Sequence, residues 1–219
     1  MINKTIQSPT TLVHHLSREP AVLDRIADAG TNLSVWQRNP EPDIALELNS
    51  LFSPKWRDVR QLTSVGSFDA DVRAHLIQQG AAPEQLGYFC ADLRKLANIF
   101  FRICRGLQVN FRLFTSDEDD CRRFHVDYRY LRLICTYQGA GTEWLTNDQV
   151  DREAYERGAP NTAIVRYGIP NHLESFWVGI FKDDACPGNT GNGLMHRSPP
   201  ASASKRERVV FCLDASRRR

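Results

Sequence analysis

The spacing of apolar residues changes near residue 107, and this change most constrains how the chain can fold. Before it, the segment 83–105 places apolar side chains such as Leu93 and Leu96 three and four residues apart, the period of an amphipathic helix. After it, LQVNFRLF alternates apolar and polar residues, which is the period of a half-buried strand. The sequence therefore predicts a mainly helical annex over residues 1–106 and a β-rich part over residues 107–216.

Shorter patterns support this division. Three further segments have apolar residues at helical spacing, and two of them end at Gly30 and Gly80: EPAVLDRIADAG, PEPDIALELNSLF and SFDADVRAHLIQQG. Four short β-rich segments follow in the second part: YLRLICTY, TAIVRYGIP, FWVGIFK and RVVFCLD. Because neither an internal repeat nor a long linker is visible, we expect residues 1–219 to form a single domain.

Composition excludes several classes of protein. The chain has 219 residues, of which 42% are hydrophobic and 25% charged, enough for one domain with a sizeable core. A net charge of +2 is too small for the electrostatic footprint of a nucleic-acid-binding protein. No run approaches the ~18 apolar residues of a membrane span, and the first residues lack the apolar stretch of a signal peptide. We therefore expect a cytoplasmic protein without membrane or nucleic-acid partners.

The cysteines do not form a recognisable motif. Six are scattered along the chain and no C-x-x-C pair occurs, so reduced thiols are expected. Four have apolar neighbours typical of small buried residues: Cys90, Cys104, Cys135 and Cys212. Cys186 lies in a polar loop, DDACPGNTGNG, where it could be an extra ligand or a structural thiol.

The stretch CRRFHVDYRYLRLICTY contains a histidine and an aspartate two residues apart, His125 and Asp127. In an extended segment, residues at this spacing project from the same face, so an imidazole and a carboxylate can point at one divalent metal ion. A third ligand must come from a distant strand, and the candidates are His196 in GNGLMHRSPP and His172 in YGIPNHLES. Two histidines and one carboxylate with open coordination positions are the arrangement of non-haem iron(II) oxygenases.

Two arginines follow His196 in the chain. An oxygenase that uses 2-oxoglutarate must hold the far carboxylate of that acid, and a fixed arginine can do so in bidentate fashion. Arg208 opens the apolar strand after His196, and Arg206 lies two residues earlier on the same face. Arg208 is the preferred candidate because it borders the apolar run of that strand.

Together these motifs resemble the 2-oxoglutarate- and iron(II)-dependent oxygenase superfamily over about residues 107–215. The resemblance rests on H-x-D, a TY on the next strand, the turn GAGTE, and H-R-S-P before an arginine-led strand. From about residue 30 to 215 the chain resembles more closely a bacterial domain family of unknown function. The superfamily resemblance implies an α+β protein with a double-stranded β-helix, a cupin-like jelly-roll, in the C-terminal half and helices packed outside it.

The resemblance also implies site residues and cofactors. The implied ligands of Fe(2+) are His125, Asp127 and His196. Arg208 matches the residue that holds 2-oxoglutarate, with Arg206 as an alternative, and Tyr137 stands where some members place a tyrosine that hydrogen-bonds the same acid. The implied activity is oxidation of an unknown small-molecule or protein substrate, with substrate choice in the loops 115–124, 139–163 and 182–195.

Two other interpretations remain open from the sequence. The same three side chains could hold Zn(2+) or another divalent ion without catalysis, for metal homeostasis or sensing. Alternatively, the domain could be a cupin-like binding module without metal, in which the three residues only pack.

Overall fold

Two β-sheets and a set of helices make up the fold. The structure is a computed structural model and describes residues 13–51, 55–116, 122–200 and 207–217. Along these residues the strands are β1 (Val13–Ser17), β2 (Thr31–Trp36), β3 (Gln61–Thr63), β4 (Gln108–Ser116), β5 (Leu131–Gln138), β6 (Glu143–Trp144), β7 (Asn171–His172), β8 (Val178–Lys182), β9 (His196–Arg197) and β10 (Arg208–Ser216). The α-helices are α1 (Pro42–Ser50), α2 (Phe68–Gln78), α3 (Gly87–Ile103), α4 (Arg152–Glu156) and α5 (Asn161–Ile164).

The larger sheet has seven strands in the order β1-β2-β8-β5-β10-β4-β3. Its pairs are antiparallel except for β1 with β2, which run parallel. The smaller sheet has the order β7-β6-β9, and an isolated bridge from His125 to His196 adds the segment before β5 to its edge. The result is a mixed α/β fold dominated by a large antiparallel sheet.

From β4 onward the chain passes back and forth between the two sheets. Strands β4, β5, β8 and β10 belong to the larger sheet, whereas the segment around His125 and strands β6, β7 and β9 belong to the smaller one. Side chains of both sheets, including Ile134, Trp144 and Val210, form one buried cluster between them. Crossing between two packed sheets in this way is the winding of a jelly-roll.

The helices cover the other face of the larger sheet. Alternate residues of β5, such as Leu133 and Cys135, pack in a second core with α1, α2 and α3. Phe68 of α2 meets Phe211 of β10 edge to face, with ring centroids 6.1 Å apart. Each central strand is therefore buried on both faces, which explains why YLRLICTY is almost continuously apolar.

The first part of the chain is less helical than its sequence predicted. The three predicted helices of residues 42–103 are confirmed as α1, α2 and α3, and EPAVLDRIADAG forms a 3₁₀ helix, Pro20–Ala27. However, β1, β2 and β3 also come from this part and join the larger sheet. All six residues of β2 are buried, although its short sequence, TNLSVW, includes the polar residues Asn32 and Ser34 and so does not mark it as a buried strand.

The second part contains one further difference. The strands predicted at LQVNFRLF, YLRLICTY, FWVGIFK and RVVFCLD are confirmed as β4, β5, β8 and β10. TAIVRYGIP instead contributes to the short helix α5 and one isolated bridge between Val150 and Val165. Pro160 is the N-cap residue of α5 and has the extended backbone usual at that position. Across the described ranges, no helix combines the length and apolar character needed to cross a membrane.

Candidate metal centre

The structure brings His125, Asp127 and His196 together at one end of the jelly-roll. His125 and His196 form a mutual backbone bridge, with each N–H donating to the other carbonyl at 3.0 Å. One ligand atom from each of the three side chains lies within 4.8 Å of the other two. The Asp127 carboxylate is 3.9 Å from Nε2 of His125 through Oδ1 and 3.5 Å from Nε2 of His196 through Oδ2. Side chains 71 residues apart thus converge within reach of a single cation.

Both imidazoles are oriented by the same local contact. The Nδ1 atoms of His125 and His196 lie 3.0 Å from the backbone carbonyls of Arg123 and Leu194, two residues earlier in each case. A carbonyl can only accept, so Nδ1 carries a proton, and in the neutral imidazole Nε2 then presents its lone pair to the site. Within the described residues, Nε2 of His196 is buried and has no hydrogen-bond partner. A hydrogen bond from the distal nitrogen is the usual way proteins orient a metal-binding histidine.

Two arginines also hold the Asp127 carboxylate. Arg129 lies 2.8 Å from Oδ1 of Asp127, and Arg132 forms a close ion pair with Oδ2. Both arginines also contact Asp214, at 3.1 Å and 2.7 Å. Arg132 and Asp214 are directly opposite each other on β5 and β10, so the larger sheet itself carries this network. No role was predicted for Arg132 from the sequence, because Asp214 is 82 residues away in the chain.

The environment favours the protonation states that bind a metal. Burial alone would raise the pKa of Asp127, but the charges of Arg132 and Arg129 hold it well below the usual range. Burial and the neighbouring His196 lower the pKa of His125. At neutral pH the site therefore contains an ionised carboxylate and a neutral His125 imidazole, the forms that coordinate metals.

Another buried acid, Asp183, lies near this group and was missed by the sequence interpretation. It directly follows β8 and is 0% exposed. Burial raises its pKa to about 7, and the charges of Asp127, Arg132 and Arg129 also act on it. A carboxyl group one residue beyond the apolar strand FWVGIFK was the available signal, but the neighbouring Asp184 made the pair resemble an ordinary polar turn.

The loop after Asp183 packs against the His125–Asp127 segment. The N–H of Asp184 lies 3.4 Å from the carbonyl of Asp127, and a carboxylate oxygen of Asp184 accepts from the N–H of Gly193 at 2.8 Å. A Cβ atom on Gly193 would lie 2.2 Å from Cγ1 of Val126, so only glycine permits this approach. The predicted specificity loop 182–195 thus forms part of the wall of the site.

Arg208 lies on the face of β10 that points between the two sheets. It alternates with Val210 and Cys212, which belong to the buried cluster there. Its Nε donates to the carbonyl of Ala140 at 2.7 Å. A Cβ atom on Gly139 would lie 2.9 Å from Cγ of Arg208, so this glycine allows the turn after β5 to pack against the arginine stem. Arg206, the alternative, lies outside the described residues.

The role expected for Tyr137, a hydrogen bond to 2-oxoglutarate, must be corrected. It lies on the opposite face of β5 from Arg132, in the core shared with α3, and its hydroxyl donates to Asp92 of that helix at 2.6 Å. The strand was predicted correctly, but Tyr137 lies on its helix-facing side. It therefore cannot contact a ligand bound between the two sheets. His172, the other candidate ligand, is exposed, pairs with Glu174 at 3.0 Å and is not part of the convergent group.

Comparisons with known proteins found similar solved structures and one matching family model. A dioxygenase for auxin oxidation from Arabidopsis thaliana, solved with 2-oxoglutarate, has a TM-score of 0.48 and 13% identity, with 93% of this chain and 74% of that one covered. A prolyl-4-hydroxylase from Pseudomonas putida has a TM-score of 0.41 and 14% identity, with 91% and 98% covered. No curated protein matches the chain. A family model described as protein of unknown function, DUF1826, matches residues 17–214, and the chain belongs to this family.

Proposed function

We propose that this protein is an iron(II)- and 2-oxoglutarate-dependent oxygenase whose metal is held by His125, Asp127 and His196. The proposal depends on one observation above all: two Nε2 atoms and a carboxylate meet within 4.8 Å, and both imidazoles are locked in the ligand tautomer. The sequence resemblance to that superfamily names the same three residues.

The donor set fits a first-row divalent metal. Two neutral nitrogens and one carboxylate oxygen suit Fe(2+), and three protein ligands leave positions for a chelating co-substrate and dioxygen. The buried Nε2 of His196, which has no partner among the described residues, would be costly to leave unsatisfied in the protein. A bound cation removes that cost.

The facing surfaces of the two sheets carry polar groups that suit a dicarboxylic acid. Arg208 lies on the inner face of β10, and its Nε donates to the carbonyl of Ala140 at 2.7 Å, which orients the guanidinium. Oγ1 of Thr136 and Nε1 of Trp144 are buried on the same inner faces and have no hydrogen-bond partner within the described ranges. We assign the distal carboxylate of 2-oxoglutarate to Arg208, because a rigid guanidinium can hold a carboxylate through two parallel hydrogen bonds.

The protein's own residues set the conditions for the reaction. Iron(II) with 2-oxoglutarate and dioxygen supplies an oxidant able to attack a C–H bond. Arg129 and Arg132 keep Asp127 ionised, and the apolar cluster between the sheets excludes water from the inner side. The side chain of His125 is 28% exposed whereas that of His196 is 4% exposed, so the substrate approaches from the His125 side.

The test combines metal content with co-substrate turnover. Protein purified without oxygen should contain iron or bind one equivalent of Fe(2+), and should then convert 2-oxoglutarate to succinate. Asp127→Ala should lose both properties. His172→Ala removes an exposed imidazole outside the group and should change neither.

Other results would support one of the alternatives. Tight zinc retention without succinate release, under every condition that loads iron, would favour a non-catalytic metal protein. Equal and negligible metal binding by wild type and Asp127→Ala would favour a metal-free binding domain.

A further inference from the structure

Asp183 carries a buried carboxyl group that the described residues leave without a partner. The residue is 0% exposed, and neither of its carboxylate oxygens accepts a hydrogen bond from any residue in the described ranges. An unpaired polar group in the protein interior destabilises the folded state, and an unpaired charged group does so more strongly. Such a group in a folded protein indicates that an ion, a water molecule or a ligand completes its environment.

The backbone around Asp183 is firmly held. Its N–H lies 3.3 Å from the carbonyl of Tyr130, which continues the pairing of β8 with β5 by one residue. Its own carbonyl accepts from the N–H of Cys186 at 3.2 Å and from Nδ2 of Asn189 at 3.1 Å. The side chain is therefore kept inside the protein by the main chain and cannot turn outward to water.

Strand geometry directs this side chain towards the metal centre. Asp183 is two residues after Phe181, so the two side chains project from the same face. The ring centroid of Phe181 is 5.1 Å from that of His196. Asp184, the next residue, contacts the backbone of Asp127. The unpaired carboxyl thus faces the region where two of the three metal-binding side chains lie.

The ionised side chains around the site do not compensate the charge of a bound divalent cation. Arg129 and Arg132 are balanced by Asp127 and Asp214, with which they form ion pairs. A divalent cation adds two positive charges to this buried group. Asp183 is a further carboxyl that interacts electrostatically with the same residues. Buried charges need compensation nearby, because desolvation makes an uncompensated one costly.

We propose that Asp183 is a positioning residue of the metal centre, whose carboxylate accepts a hydrogen bond from a metal-coordinated water and offsets part of the metal's charge. Direct ligation is not proposed, since within the described residues the group with mutually close ligand atoms contains only His125, Asp127 and His196. This inference rests on the proposed metal site but does not require turnover of 2-oxoglutarate.

The experiment compares Asp183→Asn with Asp184→Asn. Each variant removes one negative charge from the same loop, but Asn at 184 can still accept from the N–H of Gly193. Affinities for Zn(2+) and Co(2+) alone are measured at fixed pH by competition with a chromophoric chelator, together with the visible spectrum of the Co(2+) form. Asp183→Asn should weaken binding about 10- to 100-fold, as loss of an outer hydrogen-bond partner does, and shift the Co(2+) spectrum. Asp184→Asn should leave both unchanged.

Stability of the metal-free protein separates positioning from packing. Because Asp183 makes no side-chain hydrogen bond within the described residues, Asp183→Asn should unfold at the same temperature as wild type or a higher one when metal is absent. Asp183→Ser provides a second variant with a smaller side chain. If neither variant folds without metal, the side chain is structural and the inference is wrong.

The outcomes for the inference and for the proposed function are distinct. Unchanged affinity and spectrum in Asp183→Asn, with binding lost in His196→Ala, would overturn the role of Asp183 and leave the metal site intact. Equally weak binding by wild type and His196→Ala would instead overturn the metal site itself.

Discussion

At the residue scale, the candidate ligands are oriented by contacts that are local in sequence. His125 and His196 each use the carbonyl two residues earlier to fix Nδ1, so the direction of each imidazole is set within a three-residue segment. The Asp127 carboxylate depends instead on Arg129 and Arg132. Losing an arginine should therefore disturb the carboxylate while leaving both imidazoles in place.

The position of Tyr137 predicts that its hydroxyl contributes to stability and not to ligand binding. Tyr137→Phe removes the hydrogen bond to Asp92 and should lower the free energy of unfolding by about 1.5–3 kcal/mol, the usual loss for a bond to a charged group. Metal and 2-oxoglutarate affinity should not change, because the side chain lies on the helix-facing side of β5. Urea unfolding and calorimetric titration measure the two quantities. Weaker 2-oxoglutarate binding at unchanged stability would contradict the structure.

His14 yields a prediction of acid sensitivity. Burial lowers its pKa to about 4 from 6.5, and Nδ2 of Asn147 lies 3.2 Å from its Nε2. Because the unfolded chain binds the proton more readily, stability should fall as the pH decreases from about 6.5 towards about 4, by up to about 3 kcal/mol. His14→Gln should flatten this dependence in urea unfolding between these pH values. His172→Gln, at an exposed site, should retain the wild-type slope; a matching loss of slope there would rule out His14 as the cause.

At the element scale, a buried ion pair joins α3 to the larger sheet. Arg38, two residues after β2, binds both oxygens of Asp92 in α3, at 2.6 and 2.7 Å, and donates from Nε to the carbonyl of Phe176 at 2.6 Å. Phe176 itself adopts a positive φ of 70°, which is unusual for this residue type. The pair thus fixes a helix, a strand end and a turn relative to one another.

Breaking this pair should be costly. Asp92→Ala leaves the Arg38 guanidinium buried without its carboxylate, and the expected loss is about 3–5 kcal/mol of unfolding free energy. Asp69→Ala, which breaks the exposed pair with Arg94, should change stability little. Chemical unfolding of both variants makes the comparison. If Asp92→Ala and Asp69→Ala lowered stability by similarly small amounts, water would already reach the Arg38–Asp92 pair.

At the scale of the whole molecule, the candidate centre connects the two sheets. His196 belongs to the smaller sheet, whereas Asp127 is tied through Arg132 and Asp214 to the larger one. A metal bound by all three side chains therefore stabilises the packing of one sheet on the other.

This connection predicts coupling between metal and stability. Zn(2+) at about 100 times its Kd should raise the free energy of unfolding by about 2.7 kcal/mol, provided that it binds only the folded protein. The increase should disappear in His196→Ala and persist in His172→Ala, as measured by thermal unfolding with and without the ion. Identical responses of these two variants would show that zinc binds elsewhere.

The sequence by itself determined the strands from β4 onward that alternate or are continuously apolar, the helices α1 to α3, and the residue types available at the candidate site. These features depend on periods of two and 3.6 residues, which short-range sterics impose on the backbone. The H-x-D spacing also fixed a shared direction for His125 and Asp127. The apolar run that follows Arg208 likewise identified strand β10 without knowledge of its partner strands.

Only the tertiary structure decided which face of each strand meets which layer. That choice placed His196 rather than His172 beside Asp127, turned Tyr137 towards α3, and joined Arg132 to Asp214, 82 residues away. It also left Asp183 buried beside the site, and it paired β2, whose residues are all buried, with β8. Contacts of this kind depend on register and packing between distant segments, and the local pattern of a strand specifies its period without specifying its neighbours.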